Sequence, residues 1–154
     1  MKTSAGILLF KREENHLYYF LVHPGGPFWK NKDAGAWSVP KGEIMPDEDP
    51  FERALIEFKE ETGQTVQGKF IALQPVKQKS GKTVYGWALE GDLQTSELYS
   101  NTLQMEWPPG SSKMIEIPEI DQWEWFESKE AQKRINSAQA AFITELEKIL
   151  NETE

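Results

Sequence analysis

Residues 42–64 read GEIMPDEDPFERALIEFKEETGQ, and this stretch decides the fold. Asp49 followed by Pro50, with Glu52 at the third helical position, is an N-terminal helix signature. It supplies a capping carboxylate, a residue whose fixed φ suits the first turn, and an acid near the positive end of the helix dipole. Gly63 marks the expected end. On a helix advancing about 100° per residue, Glu60 and Glu61 follow Glu57 by three and four positions and stay within about 60° of it. Like charges spaced that way repel by roughly a few tenths of a kcal/mol per pair, so a counterion makes the arrangement easier to hold. Oxygen ligands alone select a hard cation, Mg²⁺ or Mn²⁺. The same three acids also fit an ordinary solvated face with Lys59 as ion-pair partner, and by themselves leave both readings open.

Upstream, the apolar segments Ser4–Lys11 and Leu17–His23, separated by polar residues 12–15, predict a hairpin. Residues 24–35 are rich in Gly and Pro yet carry Phe28 and Trp29, which suits an ordered binding loop. Trp37–Val39 reads as a short strand ending at Pro40. Downstream, Lys69–Gln78 and Thr83–Gly91 predict two strands around the turn Lys79–Lys82, followed by a long loop over Thr95–Lys113. Trp123–Phe126 is the last expected strand and Ser137–Leu150 a terminal helix. Strands around one strong helix with a second helix at the end predict a mixed-sheet α/β sandwich.

Composition bounds the chemistry. The 154 residues fit one domain, 38% of them hydrophobic and 27% charged, with six Trp, four Tyr and eight Phe to fill a core. No apolar run approaches the roughly 20 residues that span a bilayer, so no membrane association and a cytoplasmic location are expected. Without cysteine there are no thiolate metal ligands and no disulfides. A net charge of −8 argues against nucleic acid as a partner, since binding to its backbone depends on clustered Lys and Arg. An acidic protein acting on a polyanion needs a bound cation or a local basic patch.

From Gly42, Glu48 follows after five residues, and after eight more come Glu57, Phe58, Lys59, Glu60, Glu61, Thr62 and Gly63. This spacing resembles the Nudix box: Gly, five residues, Glu, seven residues, then Arg-Glu-aliphatic-any-Glu-Glu-any-Gly-aliphatic. Gly42, Glu48, Glu57, Glu60, Glu61 and Gly63 match, while Ile56 stands where the family has arginine and Gln64 where it has an aliphatic residue. The resemblance implies an α/β fold, the Nudix-type α/β/α sandwich with a mixed β-sheet, with residues 1–154 as a single domain. It further implies a metal-dependent hydrolase cleaving a phosphoanhydride bond in a small nucleoside diphosphate derivative, with dinucleoside polyphosphates or nucleoside triphosphates favoured. Glu57, Glu60 and Glu61 are then the expected catalytic residues and ligands of Mg²⁺ or Mn²⁺, joined by the backbone carbonyl of Gly42. The general base is implied to be Glu60 or an acid outside the box, among Glu106, Glu116 and Glu119, with Glu48 structural. In the family the box arginine orients a metal-binding glutamate; Arg53, one helical turn before Glu57, is the residue expected to replace it.

Four further residues are candidates for substrate binding. Lys41 precedes the box glycine and presents a point charge suited to a phosphate. Phe28, Trp29 and Trp107 lie on expected loops where a ring can stack on a base. Core packing is the alternative for each aromatic. His23 receives no catalytic role. A rival function, motivated by Ile56, is a catalytically weak nucleotide-binding or regulatory module on the same scaffold. RNA-end processing requires a basic groove that the acidic composition disfavours. The family includes monomers and dimers, so either a monomer or a homodimer is expected.

Overall fold

The computed structural model describes residues 2–153. Strand β1 (Thr3–Glu13) turns directly into β2 (His16–Pro24) through Glu14 and Asn15, whose φ values of 50° and 69° give the two-residue turn that matches strand twist. β1 is the centre of the sheet. It pairs antiparallel with β2 and with the short β3 (Lys41–Glu43), and parallel with β6 (Thr83–Glu90). The strands β4 (Ile71–Ala72) and β5 (Val76–Lys77) line the outer side of β6, and β9 (Ile120–Glu127) closes the other edge on β2. The result is a mixed sheet in the order β4-β6-β1-β2-β9.

Every residue from Ser4 to Phe10 is buried, because both faces of β1 are covered. Alternation along the strand divides its side chains between two layers. Ile7 and Leu9 pack with Phe20, Val22, Ala54 and Phe58 beneath helix α1 (Pro50–Thr62). Leu8 and Phe10 pack with Tyr19, Leu21, Ala131, Phe142 and Leu146 beneath α2 (Ser128–Arg134) and α3 (Ala140–Thr153). Each fully buried Phe or Leu stabilises this sandwich by about 1.5–3 kcal/mol. The expected α/β/α sandwich is present. No helix among the described residues is long and apolar enough to cross a membrane.

Four local expectations are corrected. Trp37–Val39 is not a strand: Trp37 and Ser38 make isolated bridges to Ile135 and Val22. Lys69–Gln78 is broken between β4 and β5, where Pro75 has no N–H for a ladder. The loop expected over Thr95–Lys113 holds β7 (Thr102–Glu106), which forms a separate hairpin with β8 (Met114–Pro118). Helix α2 was not foreseen, and α3 begins at Ala140 rather than Ser137.

Candidate active site

Helix α1 starts as its sequence dictates: the Asp49 side chain accepts the Glu52 N–H at 3.0 Å, with Pro50 in the first turn. It stops at Gly63, whose φ of 78° suits glycine and whose N–H returns to the Lys59 carbonyl. The face turned inward carries Ala54 and Phe58 into the core and, with them, Glu57 and Glu61, only 9% and 6% exposed. Two buried carboxylates four residues apart on one helix are costly unless something compensates them.

A third acid joins them from outside the box. Glu119 sits between β8 and β9, and carboxylate oxygens of Glu57, Glu61 and Glu119 all lie within 4.8 Å of one another. Its backbone is fixed on both sides: the Glu119 N–H donates to the Asn101 carbonyl, and its own carbonyl accepts the Gly25 N–H, each at 2.9 Å. Asn101 in turn donates its N–H to the Glu60 carbonyl at 2.9 Å, and the Trp123 indole N–H donates to the Glu61 carbonyl at 2.7 Å. Segment 99–101 and β9 thus use the free carbonyls at the C-terminal end of α1 to hold Glu119 against it.

Glu60 has a different position. It is half-buried and lies outside that close group, yet its charge reaches both Glu57 and Glu119. Burial is the largest cause raising the Glu57 carboxyl above its ordinary value, followed by the opposing Arg53 hydrogen bond and the reinforcing charge of Glu60. Burial raises Glu61 furthest, with Glu57 and Glu119 adding to it and Lys41 opposing. Glu119 is raised by burial and then by Glu57 and Glu60.

Arg53, not residue 56, makes the contact to Glu57. Its Nε and Nη2 donate to the two oxygens of Glu48, the first at 2.8 Å, while Nη1 donates to Glu57 Oε2 at 2.9 Å. Glu48 also accepts the Met45 N–H at 2.9 Å, which ties the loop before α1 to the same cluster. Ile56 is 42% exposed and takes no part. On the strand side, a Cβ on Gly42 would stand 2.0 Å from the Glu57 carboxyl carbon, so only glycine lets that carboxylate lie against β3. The neighbouring Lys41 N–H donates to Glu61 Oε1 at 3.3 Å.

Glu61 and Glu119 form part of the wall of a cleft of about 330 Å³. Trp29 and Lys41 line it as the sequence suggested, joined by Trp37, Gln78, Lys82 and Gln139. Phe28 does not line it: its ring is 51% exposed and lies under the Lys32 ammonium, 3.6 Å from the ring centre. Trp107 is also elsewhere, at the tip of the β7–β8 hairpin, where its N–H donates to the Lys113 carbonyl. Glu106 is used in that tip, accepting the Gly110 and Ser112 N–H groups, and Glu116 is exposed on β8. Of the three acids outside the box, Glu119 alone enters the close carboxylate group. His23 bonds Asp121 at 2.8 Å and the Lys32 carbonyl at 2.7 Å, a tie between β9 and the loop bearing Trp29. Lys82, Gln78 and Gln139 carried no signal in the sequence, since a turn lysine and two isolated glutamines match no periodic pattern.

Among solved structures, an Ap4A hydrolase of C. elegans in a binary complex superposes with a TM-score of 0.69 at 18% identity, covering 99% of each chain. The NUDIX domain of Shewanella oneidensis NrtR complexed with ADP ribose gives 0.66 at 15% identity, over 96% of this chain and 87% of that one. The MutT protein of Methanosarcina mazei Go1 gives 0.60 at 18% identity, over 96% and 93%. At these identities the likeness is one of fold. No curated protein sequence matches the chain significantly. The NUDIX domain profile matches residues 1–146, nearly the whole of a sequence in which two box glutamates, Glu57 and Glu61, meet Glu119 in one close group, and the chain belongs to the Nudix family.

Proposed function

We propose that this Nudix protein is a divalent-cation-dependent pyrophosphohydrolase that cleaves a phosphoanhydride bond in a nucleoside di- or polyphosphate. The observation that carries the reading is the meeting of Glu57, Glu61 and Glu119 within 4.8 Å, two of them buried, at the wall of a cleft. Three mutually repelling carboxylates with raised proton affinity fit Mg²⁺ or Mn²⁺: the donor set is all oxygen and supplies the negative charge that a hard cation takes. The Gly42 carbonyl, on the strand against which Glu57 lies, is assigned to the same set.

Bound there, the cation neutralises charge on the phosphoryl group and acidifies a water. The chain's own residues do the rest. Glu57 is held in place by Arg53 and by the missing side chain at Gly42. Glu60, outside the tight group but within electrostatic reach of it, is assigned to accept the proton of the attacking water, with Glu119 the other acid placed to do so. Lys41 balances charge beside Glu61, and Trp29 offers an aromatic wall for a base. The similar folds of an Ap4A hydrolase and of a NUDIX domain complexed with ADP ribose favour a nucleotide-like substrate. The rival reading as a binding module rested on Ile56 standing where the family has arginine, and the hydrogen bond from Arg53 to Glu57 weakens that motive.

The test is product release from nucleoside triphosphates, dinucleoside polyphosphates and nucleotide sugars with Mg²⁺ or Mn²⁺. Turnover that requires the metal and is lost in Glu57→Gln and Glu60→Gln supports the proposal. No turnover across that panel, with metal binding intact, overturns it in favour of a binding module.

A further inference from the structure

The three acids of the close group are not held alike. Glu57 accepts a hydrogen bond from Arg53, and Glu61 accepts the Lys41 N–H. Among the described residues no hydrogen bond or ion pair reaches the Glu119 carboxylate, and only burial and the charges of Glu57 and Glu60 act on it. Its place in the group therefore depends on its backbone. The Glu119 N–H donates to the Asn101 carbonyl and its own carbonyl accepts the Gly25 N–H, while the Tyr99 and Asn101 N–H groups donate to the Thr62 and Glu60 carbonyls at the end of α1.

Ser100 stands between those two anchored residues and bonds the other side of the junction. Its hydroxyl accepts the Ile120 N–H at 3.2 Å, and its single proton is shared between the Ile120 carbonyl at 3.2 Å and the Asn101 carbonyl at 2.9 Å. Ile120 needs such a partner. It is buried at the start of β9, where the register against β2 shifts, and Pro24 opposite it has no N–H to give the Ile120 carbonyl. One hydroxyl thus engages both backbone polar atoms of the residue that directly follows Glu119. Ser100 itself touches none of the three carboxylates and does not line the cleft.

We propose that Ser100 is a positioning residue for Glu119: through Ile120 its hydroxyl fixes the passage from β8 to β9, so that the Glu119 carboxylate meets Glu57 and Glu61. This rests on the carboxylate cluster being the cation site. Removing the hydroxyl frees residues 119 and 120 to shift against the end of α1. The one carboxylate of the group without a hydrogen bond of its own moves with them.

The probe is Mn²⁺ alone, titrated calorimetrically into the full chain. Wild type binds, and Ser100→Ala raises the dissociation constant about tenfold, the lower end of the range for losing a group that orients a ligand. Ser100→Thr, which keeps the hydroxyl, stays within about threefold of wild type. In Glu119→Gln protein the same Ser100→Ala change shifts the constant by less than about twofold, because the carboxylate through which Ser100 acts is gone. Ser128→Ala, which removes another half-buried hydroxyl, one bonded to Glu147 in the opposite layer, lowers the melting temperature and leaves Mn²⁺ affinity within about twofold. With Mg²⁺, the concentration giving half-maximal turnover rises in Ser100→Ala by the same factor as the Mn²⁺ constant, while KM for the nucleotide stays within about twofold. Equal Mn²⁺ affinity in Ser100→Ala and wild type, an undiminished loss in the Glu119→Gln background, or no Mn²⁺ binding by wild type overturns the positioning role. Absence of turnover in every protein, with the affinity pattern intact, sinks the hydrolase reading and leaves the positioning role standing.

Discussion

Arg53 reaches Glu57 across one turn of α1, Nη1 to Oε2 at 2.9 Å, while its other two nitrogens hold Glu48. One guanidinium thereby links the loop before the helix to a buried carboxylate on it. Arg53→Ala leaves Glu57 buried without its partner. Metal affinity and kcat/KM are expected to fall by about 10–100-fold, the usual effect of losing the group that orients a ligand. Ile56→Arg, which restores the family residue on an exposed position, is expected to change either by less than about threefold, since Glu48 and Glu57 are already taken. Metal titration of activity in both variants decides it. Equal activity in Arg53→Ala and wild type refutes the replacement.

Gly42→Ala puts a methyl group 2.0 Å from the Glu57 carboxyl carbon, which is impossible without moving that side chain. The strain is expected to cost about 1–3 kcal/mol of stability. Displacing Glu57 adds a loss of activity out of proportion to it. Chemical denaturation beside metal-dependent turnover separates the two effects; wild-type kinetics in a destabilised Gly42→Ala protein would show that Glu57 is not needed where it lies.

Glu119→Gln removes one charge from the triad without changing shape. Turnover is expected to fall by about 10²-fold or more if this acid serves a proton transfer or the cation. Glu106→Gln and Glu116→Gln are expected to stay within about threefold of wild type, one acting in a hairpin tip and the other exposed. Parallel kinetics of the three variants test the assignment.

The raised proton affinities of Glu57, Glu61 and Glu119 make the metal-free protein sensitive to pH. A carboxyl whose pKa rises on folding binds its proton more tightly when folded, so its stability contribution is fully present below the ordinary value of 4.5 and declines as pH rises towards the folded value. Glu61 is raised furthest. Without metal, Glu61→Gln is therefore expected to melt at higher temperature than wild type near pH 8, with the gap closing towards pH 4.5. Mg²⁺ reverses the order by stabilising wild type alone. Thermal melts across this range with chelator and with Mg²⁺ give the answer, and a gap that does not depend on pH discards the explanation.

Helix α1 was legible because its signals are local: Asp49, Pro50 and Gly63 act on backbone groups within a turn, and four-residue spacing puts Glu57 and Glu61 on one face. The same arithmetic keeps Glu60 on that edge too, about 60° to the other side of Glu57, and only the packing of the helix leaves it outside the tight group. The β1–β2 hairpin was legible for the same reason, while β7 and β8 were hidden among the turn residues between them.

The sequence by itself determined the Nudix box, the central helix and the three glutamates along one edge of it, and offered Arg53 as the residue expected to replace the missing arginine. Only the tertiary structure decided that Glu119, rather than Glu106 or Glu116, joins the cluster, and that Lys82 and Gln78 line the same cleft. Glu119 is 58 residues beyond Glu61 and is brought in by backbone hydrogen bonds through Asn101, while Gln139 orients Gln78 from 61 residues away. Nearly every residue carries the same backbone N–H and carbonyl, so the pairings that bring Glu119 in leave no pattern in the order of side chains, and a lone glutamine pair 61 residues apart leaves none either.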